Sequence, residues 1–316
     1  MPALATIAAA AAGLAVPAVA GGLALFTRHV ERKVEAALPP QGIFINVGGA
    51  RLHVREQGQG PALLMIHGLG GHMAHFTYEV ARQLAHHHRV VTVDRPGSGY
   101  STRRPGTQAG LREQAAALAE LIDRLELECP LVVGHSFGGA VALALALDFP
   151  ERVAGLSLLA PLTHLPDETP PAFRGLATRS PLLRRLMAWT VATPGAIACG
   201  GAVLEEVFGP DPVPHDFSTR GGGLLGLRPS QFLAAAEDMG ALPEQLPAYS
   251  SRYGELRMPV AVLFGRSDRI LPWREHGESL ACKVPHAVLE VVEGGHMLPI
   301  AQPDLTVQFI RAAAAR

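Results

Sequence analysis

Short, uninterrupted apolar runs alternate with longer stretches of helical periodicity through most of this chain. Ala62 to Ile66, Arg89 to Val93, Pro130 to Gly134, Val153 to Leu159, Val260 to Phe264 and Ala287 to Val292 read as strands. A run that is apolar at successive positions buries both faces of a strand, as in a parallel sheet covered by helices. Met73 to His86, Leu111 to Leu125, Gly138 to Asp148 and Pro303 to Ala314 read as the covering helices. Near the start, Phe44 to Val47 and Arg51 to Glu56 flank Gly48-Gly49, a hairpin signal. This order predicts an α/β fold with a mostly parallel, doubly wound sheet of about eight strands.

Two stretches break the rhythm. From about residue 163 to 258 no clean strand pattern occurs, prolines are frequent, and Leu182 to Val191 and Ser230 to Met239 read as apolar helical pieces. So much apolar material argues against a disordered linker, and the segment is expected to be a mostly helical lid inserted between two strands. It should cover the mouth of the site described below. The other stretch is N-terminal. Pro2 to Thr27 carries no charged side chain and is closed by Arg28, with Arg32 and Lys33 behind it. Its length suffices for a bilayer span, which takes roughly 20 apolar residues. It reads as a membrane anchor that adds nothing to the core, with residues 28–42 as a connector and the domain proper at 43–316. Basic residues on the C-terminal flank would keep that domain cytoplasmic. Ala18-Val19-Ala20 keeps open a cleaved signal and a secreted or periplasmic product. An amphipathic surface helix fits less well, because no polar stripe is visible.

Composition narrows the function classes. The chain has 316 residues, is 48% hydrophobic and 17% charged, and carries a net charge of −1. With no basic face to attract phosphates, nucleic acid is not an expected partner. Cys129, Cys199 and Cys282 form no disulfide framework or metal pattern and read as free, mostly buried thiols. His86-His87-His88 reads as a solvated helix end, since adjacent helical residues do not face one site.

The chemistry concentrates in three places. Gly134-His135-Ser136-Phe137-Gly138 fits G-x-S-x-G, entered by the apolar Leu131-Val132-Val133 and left by the helical Gly139 to Leu143. A strand-to-helix turn this tight presents the hydroxyl above the sheet, at a helix N-terminus where negative charge is favoured. A serine hydroxyl needs a base to become nucleophilic. His296 follows the last strand behind Gly294-Gly295, and Asp268 follows the strand ending at Phe264. A carboxylate there would hold the imidazole in one tautomer and stabilise its cation. Asp167 is the rival acid and lies further from a strand end.

These motifs, with His67-Gly68-Leu69-Gly70-Gly71 and Asp94-Arg95-Pro96-Gly97-Ser98-Gly99-Tyr100-Ser101, resemble the α/β-hydrolase superfamily over roughly residues 43–315. The resemblance is to its serine-nucleophile, lidded, esterase- or lipase-like branch. It implies a Ser136–Asp268–His296 triad and an oxyanion hole from the backbone N–H groups of Leu69 and Phe137. It gives His67 a supporting role beneath that loop and makes Asp94 structural. Related epoxide hydrolases and haloalkane dehalogenases carry aspartate at the elbow, so Ser136 points to acyl transfer. The expected activity is hydrolysis of a carboxylic ester through an acyl-enzyme, on a small-molecule acyl substrate. No cofactor, metal or obligate protein partner is implied. The same triad would serve a C–C bond hydrolase or an acyltransferase. A non-catalytic binding protein on this fold is a further alternative.

Overall fold

The computed structural model describes the backbone of residues 2–178 and 180–316, and side chains from residue 17 onward apart from 179. Nine strands form one sheet: β1 (Ile43–Val47), β2 (Ala50–Gln57), β3 (Ala62–Ile66), β4 (Arg89–Val93), β5 (Thr102–Arg103), β6 (Leu131–His135), β7 (Gly155–Leu159), β8 (Val260–Gly265) and β9 (Val288–Val292). Their order is β1-β2-β4-β3-β6-β7-β8-β9, with the two-residue β5 beside β2. The hairpin β1–β2 and the β2–β4 pair are antiparallel. From β4 onward every neighbour is parallel. The longer helices are α1 (Pro2–Ala37), α2 (Leu111–Arg124), α3 (Phe137–Asp148), α4 (Pro181–Trp189), α5 (Ala192–Phe208), α6 (Pro229–Ser251) and α7 (Pro303–Ala314).

Alternate residues of each central strand feed two cores. Leu64, Ile66, Val91, Val132 and Val262 pack with α2 and α3 on one face. Leu63, Met65, Val90, Val133 and Leu263 pack with Phe76, Leu84 and α7 on the other. Burial on both faces is why these strands read as continuous apolar runs. Helix α3 is buried from Phe137 to Leu147 and apolar all round, the pattern of a helix with no solvent face.

Between β7 and β8 the chain forms α4, α5, α6 and short turns, with no strand among the described residues. Helix α6 runs on through Pro243 and Pro247 to Ser251, well past the expected Met239. The stretch expected as one helix from Met73 to His86 is instead two short ones, Ala74–Thr77 and Val80–Leu84. Partners from the insertion meet the break. Arg220 donates to the Tyr78 carbonyl at 2.9 Å, and the Tyr78 hydroxyl donates to Asp216 at 2.7 Å.

Two more expectations need correction. All three cysteines are free and exposed rather than buried, because they sit on turns and outer helix faces. Residues 28–42 are not a connector throughout, since α1 continues to Ala37. Its last turns dock on the insertion, against the turn Gly223–Leu227 and helices α4 and α5. Thr27 and Val34 are buried there, and Glu35 lies 3.3 Å from Arg228. That half of α1 therefore belongs to the packed structure. The tether expected at residues 2–27 falls partly outside the described residues, which exclude side chains 1–16. Among the described residues no single helix is long and apolar enough to cross a membrane.

Candidate active site

Strands β3 and β6 are neighbours, with Ile66 opposite Gly134, although the chain runs outward from β3 to β4 before returning to β6. Their C-terminal ends flank the switch in strand order where open α/β sheets place ligands. Leu69 follows β3, and Ser136 follows β6 directly.

Ser136 holds φ 54 and ψ −121, a conformation rare for a residue with a side chain. The turn persists because its surroundings fix it. Ser136 N–H donates to Leu159 O at 3.0 Å, and its carbonyl accepts from Gly139 at 2.8 Å and Leu162 at 2.9 Å. The flanking glycines are steric necessities. A Cβ on Gly134 would stand 2.6 Å from Gly138 O, and one on Gly138 would overlap Ile66 O. Phe137 opens α3, so its N–H is among those a helix leaves unpaired. The Leu69 N–H also finds no acceptor among the described residues.

His296 lies after β9, and its Nδ1–H donates to Asp268 Oδ2 at 2.7 Å. The other Asp268 oxygen accepts from the amides of Ile270 at 2.8 Å and Leu271 at 2.9 Å. Both side chains are almost wholly buried. This arrangement leaves His296 Nε2 as the free lone pair. Ser136, His296 and Leu69 line one cavity of about 230 Å³. Among the described residues the Ser136 hydroxyl has no acceptor within hydrogen-bond reach. A contact of this kind commonly tightens only in the substrate complex. The insertion contributes Phe173, Val203, Leu204, Val207, Phe208 and Phe217 to the walls. Asp167 does not line this cavity.

His67 is fully buried beneath the Leu69 loop. Its Nδ1–H donates to Gly68 O at 2.8 Å and its Nε2 accepts from Arg95 N–H at 2.9 Å. Burial, helped by the Arg95 charge, holds its pKa well below the usual histidine value, so the ring stays neutral.

Three contributors were not singled out from the sequence. Arg95 is fully buried and donates to His67 O at 2.9 Å and Gly68 O at 3.1 Å. Its guanidinium lies 4.5 Å from the Phe137 ring centroid. It also pairs with Asp238 of α6 at 2.6 Å, tying the insertion to the loop that follows β3. His135, the variable residue before Ser136, donates from Nε2 to the His296 carbonyl at 3.0 Å. Burial lowers its pKa to about 3. A buried arginine inside the motif after β4 was the one available signal, because isolated guanidinium groups are rarely buried unpaired.

The alpha/beta hydrolase fold family matches residues 61–303. The chain belongs to this family. Among its relatives, a Pseudomonas putida protein named 2-hydroxy-6-oxo-2,4-heptadienoate hydrolase is 29% identical over 241 residues, covering 73% of this chain and 80% of its own. A Rhodobacter capsulatus protein named magnesium-chelatase 30 kDa subunit is 31% identical over 247 residues, covering 76% and 81%. The solved structure of a thermophilic esterase from Thermogutta terrifontis superimposes with a TM-score of 0.69 at 25% identity, covering 87% of this hydrolase and 98% of that chain. The family and its hydrolase-named relatives support an enzyme. The names of its relatives span several chemistries.

Proposed function

We propose that this α/β hydrolase cleaves a carboxylic ester through an acyl-enzyme on Ser136. One observation carries the reading: Asp268 holds His296 Nδ1, leaving Nε2 basic toward the cavity that Ser136 also lines. In the proposed mechanism Ser136 Oγ attacks the ester carbonyl while His296 Nε2 takes the hydroxyl proton. The N–H groups of Leu69 and Phe137 receive the developing oxyanion, each donor contributing about 10²–10³ in rate. His296 then protonates the leaving alcohol and activates the water that releases the acid. His67 and Arg95 hold the oxyanion loop without exchanging protons.

The cavity is smaller than the roughly 300–1,000 Å³ usual for ligand pockets. Short-chain p-nitrophenyl esters should therefore be turned over faster than long-chain ones. The decisive comparison is ester turnover by the intact chain and by Ser136→Ala. The variant should lose activity and fluorophosphonate labelling while keeping its unfolding midpoint. Retained turnover would overturn the assignment. A second reading, hydrolysis of a C–C bond next to a ketone, draws support from the name of the P. putida relative. Turnover of a vinylogous 1,5-diketone with no ester turnover would select it.

The N-terminal segment is proposed to tether the domain to a membrane. The uncharged stretch from Pro2 to Thr27 supports this. So does the exposure of Leu182, Leu186 and Val191 on or next to α4, which packs beside α1.

A further inference from the structure

The walls of the cavity that holds Ser136 are mostly apolar, and among the described residues no Lys, Arg, Asp or Glu lines it. Besides Ser136 and His296, the lining side chains able to form hydrogen bonds are His72, His75 and His135. His72 is committed on both nitrogens: Nε2–H donates to Gly222 O at 2.9 Å, and Nδ1 accepts from Ala74 N–H at 3.2 Å. His135 spends Nε2–H on the His296 carbonyl, and its Nδ1 is buried.

His75 is different. It sits in the short helix Ala74–Thr77, and its Nδ1 is buried without a partner among the described residues. That edge of the ring packs on Gly71, where a Cβ would stand 2.9 Å from Nδ1 and 2.7 Å from Cε1. Nε2 also makes no hydrogen bond among the described residues, yet it is not sealed off as Nδ1 is. The ring lies beside those of His72 and Phe217, with centroids 5.3 and 6.0 Å away, and forms part of the cavity wall. Its protonation follows from these surroundings. Burial, helped by the nearby His72, holds its pKa well below the ordinary histidine value, so the ring is neutral. A neutral imidazole carries one N–H. On Nδ1 that N–H would be a buried donor with no acceptor, the rarer kind of orphan. On Nε2 it faces the cavity, where a bound molecule can accept it.

We propose that His75 is a specificity residue whose Nε2–H donates to a ketone oxygen of the substrate. On the ester-hydrolase reading, which this assignment rests on, the substrate is then a short oxo ester. A carboxylate in the same place would be a buried charge with no cation to pair with. A hydroxyl would bring a proton of its own, and beside the catalytic His296 the described side chains offer it no free acceptor. A ketone asks only for a donor, and His75 is the one uncommitted donor outside the triad among the described lining side chains. A site built around such a hydrogen bond discriminates against an analogue lacking the group, because its own polar atom is then left unpaired.

The test uses pairs of esters that differ only in one oxo group. On the acyl side, p-nitrophenyl 4-oxopentanoate is compared with p-nitrophenyl pentanoate. On the alcohol side, 4-oxopentyl acetate is compared with pentyl acetate. In the unmodified full chain one oxo ester should exceed its plain counterpart about tenfold or more in kcat/KM. The pair that does so tells on which side of the scissile bond His75 acts. His75→Phe should bring that ratio to about one, and His75→Gln, which retains an N–H donor, should keep part of it. A ratio taken within each variant cancels any general loss of activity. Should His75→Phe not fold, His75→Leu takes its place. Ratios near one for both pairs in the unmodified chain, or a preference that survives in His75→Phe, would overturn the proposal. Calorimetric titration of Ser136→Ala with ethyl 4-oxopentanoate and ethyl pentanoate separates the contact from the reaction. Tighter binding of the oxo compound with no turnover of any ester would sink the ester reading and sustain the role of His75. Equal binding with no turnover would sink both.

Discussion

Ser136 keeps a strained backbone because hydrogen bonds from β7 and α3 and the absence of side chains at Gly134 and Gly138 leave it no alternative. The same rigidity governs the partner residues. Asp268 spends one oxygen on two backbone amides and offers the other to His296. Asp268→Asn should preserve the fold yet hold the wrong imidazole tautomer, lowering kcat by about 10⁴. Asp167→Asn should leave kcat unchanged; steady-state ester hydrolysis by both variants checks this. His135 supplies a pH effect. Its folded pKa of about 3 lies below the ordinary 6.5, so between those values the unfolded chain binds a proton that the folded chain refuses. Stability is then lost as pH falls from 6.5 toward 3, at up to about 1.4 kcal/mol per pH unit for this one group. Denaturant midpoints measured from pH 7 to pH 4 should fall, and His135→Gln should flatten the slope. The pairing of Asp268 with His296, and the cavity His296 shares with Ser136, could be expected from sequence because each residue follows its own strand within a few residues. The roles of His135 and Arg95 could not, because their partners lie 161 and 143 residues away.

Among the elements, β3, β4 and α7 have the ends their hydrophobic pattern predicts, since burial on two faces or one stripe marks them without ambiguity. The insertion was legible only as helical. Helix α5 left no clear trace, because its run of small residues lacks a strong period. Helix α6 carries two interior prolines that argue against a helix of its observed length. Its Asp238 is wholly buried between Arg95 and Arg103. Removing one partner of such a group leaves an uncompensated charge, at a cost of about 3–5 kcal/mol. Asp238→Ala should lower the unfolding free energy by that amount, read from denaturant melts, and reduce kcat because Arg95 also braces the loop proposed to hold the oxyanion. On the proposed tether, the two halves of helix α1 should behave differently. A chain starting at residue 24 should leave the membrane fraction and stay active, since Thr27, Val34 and Glu35 keep their contacts. A chain starting at residue 41 should melt at lower temperature. Cell fractionation and thermal melts separate the two outcomes, and recovery of the uncleaved full chain wholly in the soluble fraction would rule the tether out.

For the whole molecule, the sheet order was open to sequence only as far as alternation implies parallel pairing. The antiparallel β1–β2 hairpin was marked by Gly48-Gly49, but the β2–β4 pairing and the small strand β5 depend on contacts that no local pattern encodes. The catalytic cavity illustrates the same limit, for it is lined by residues drawn from distant parts of the chain. One contact also bears on how such a protein can diversify. Arg95 belongs to the sheet scaffold and Asp238 to the insertion, and both are sealed from water. The insertion is therefore not a free cassette. A recombinant that exchanges it for a foreign counterpart inherits a guanidinium in need of an acid at one particular point in space. Donors lacking that acid should fail at folding, before substrate preference is ever put to selection.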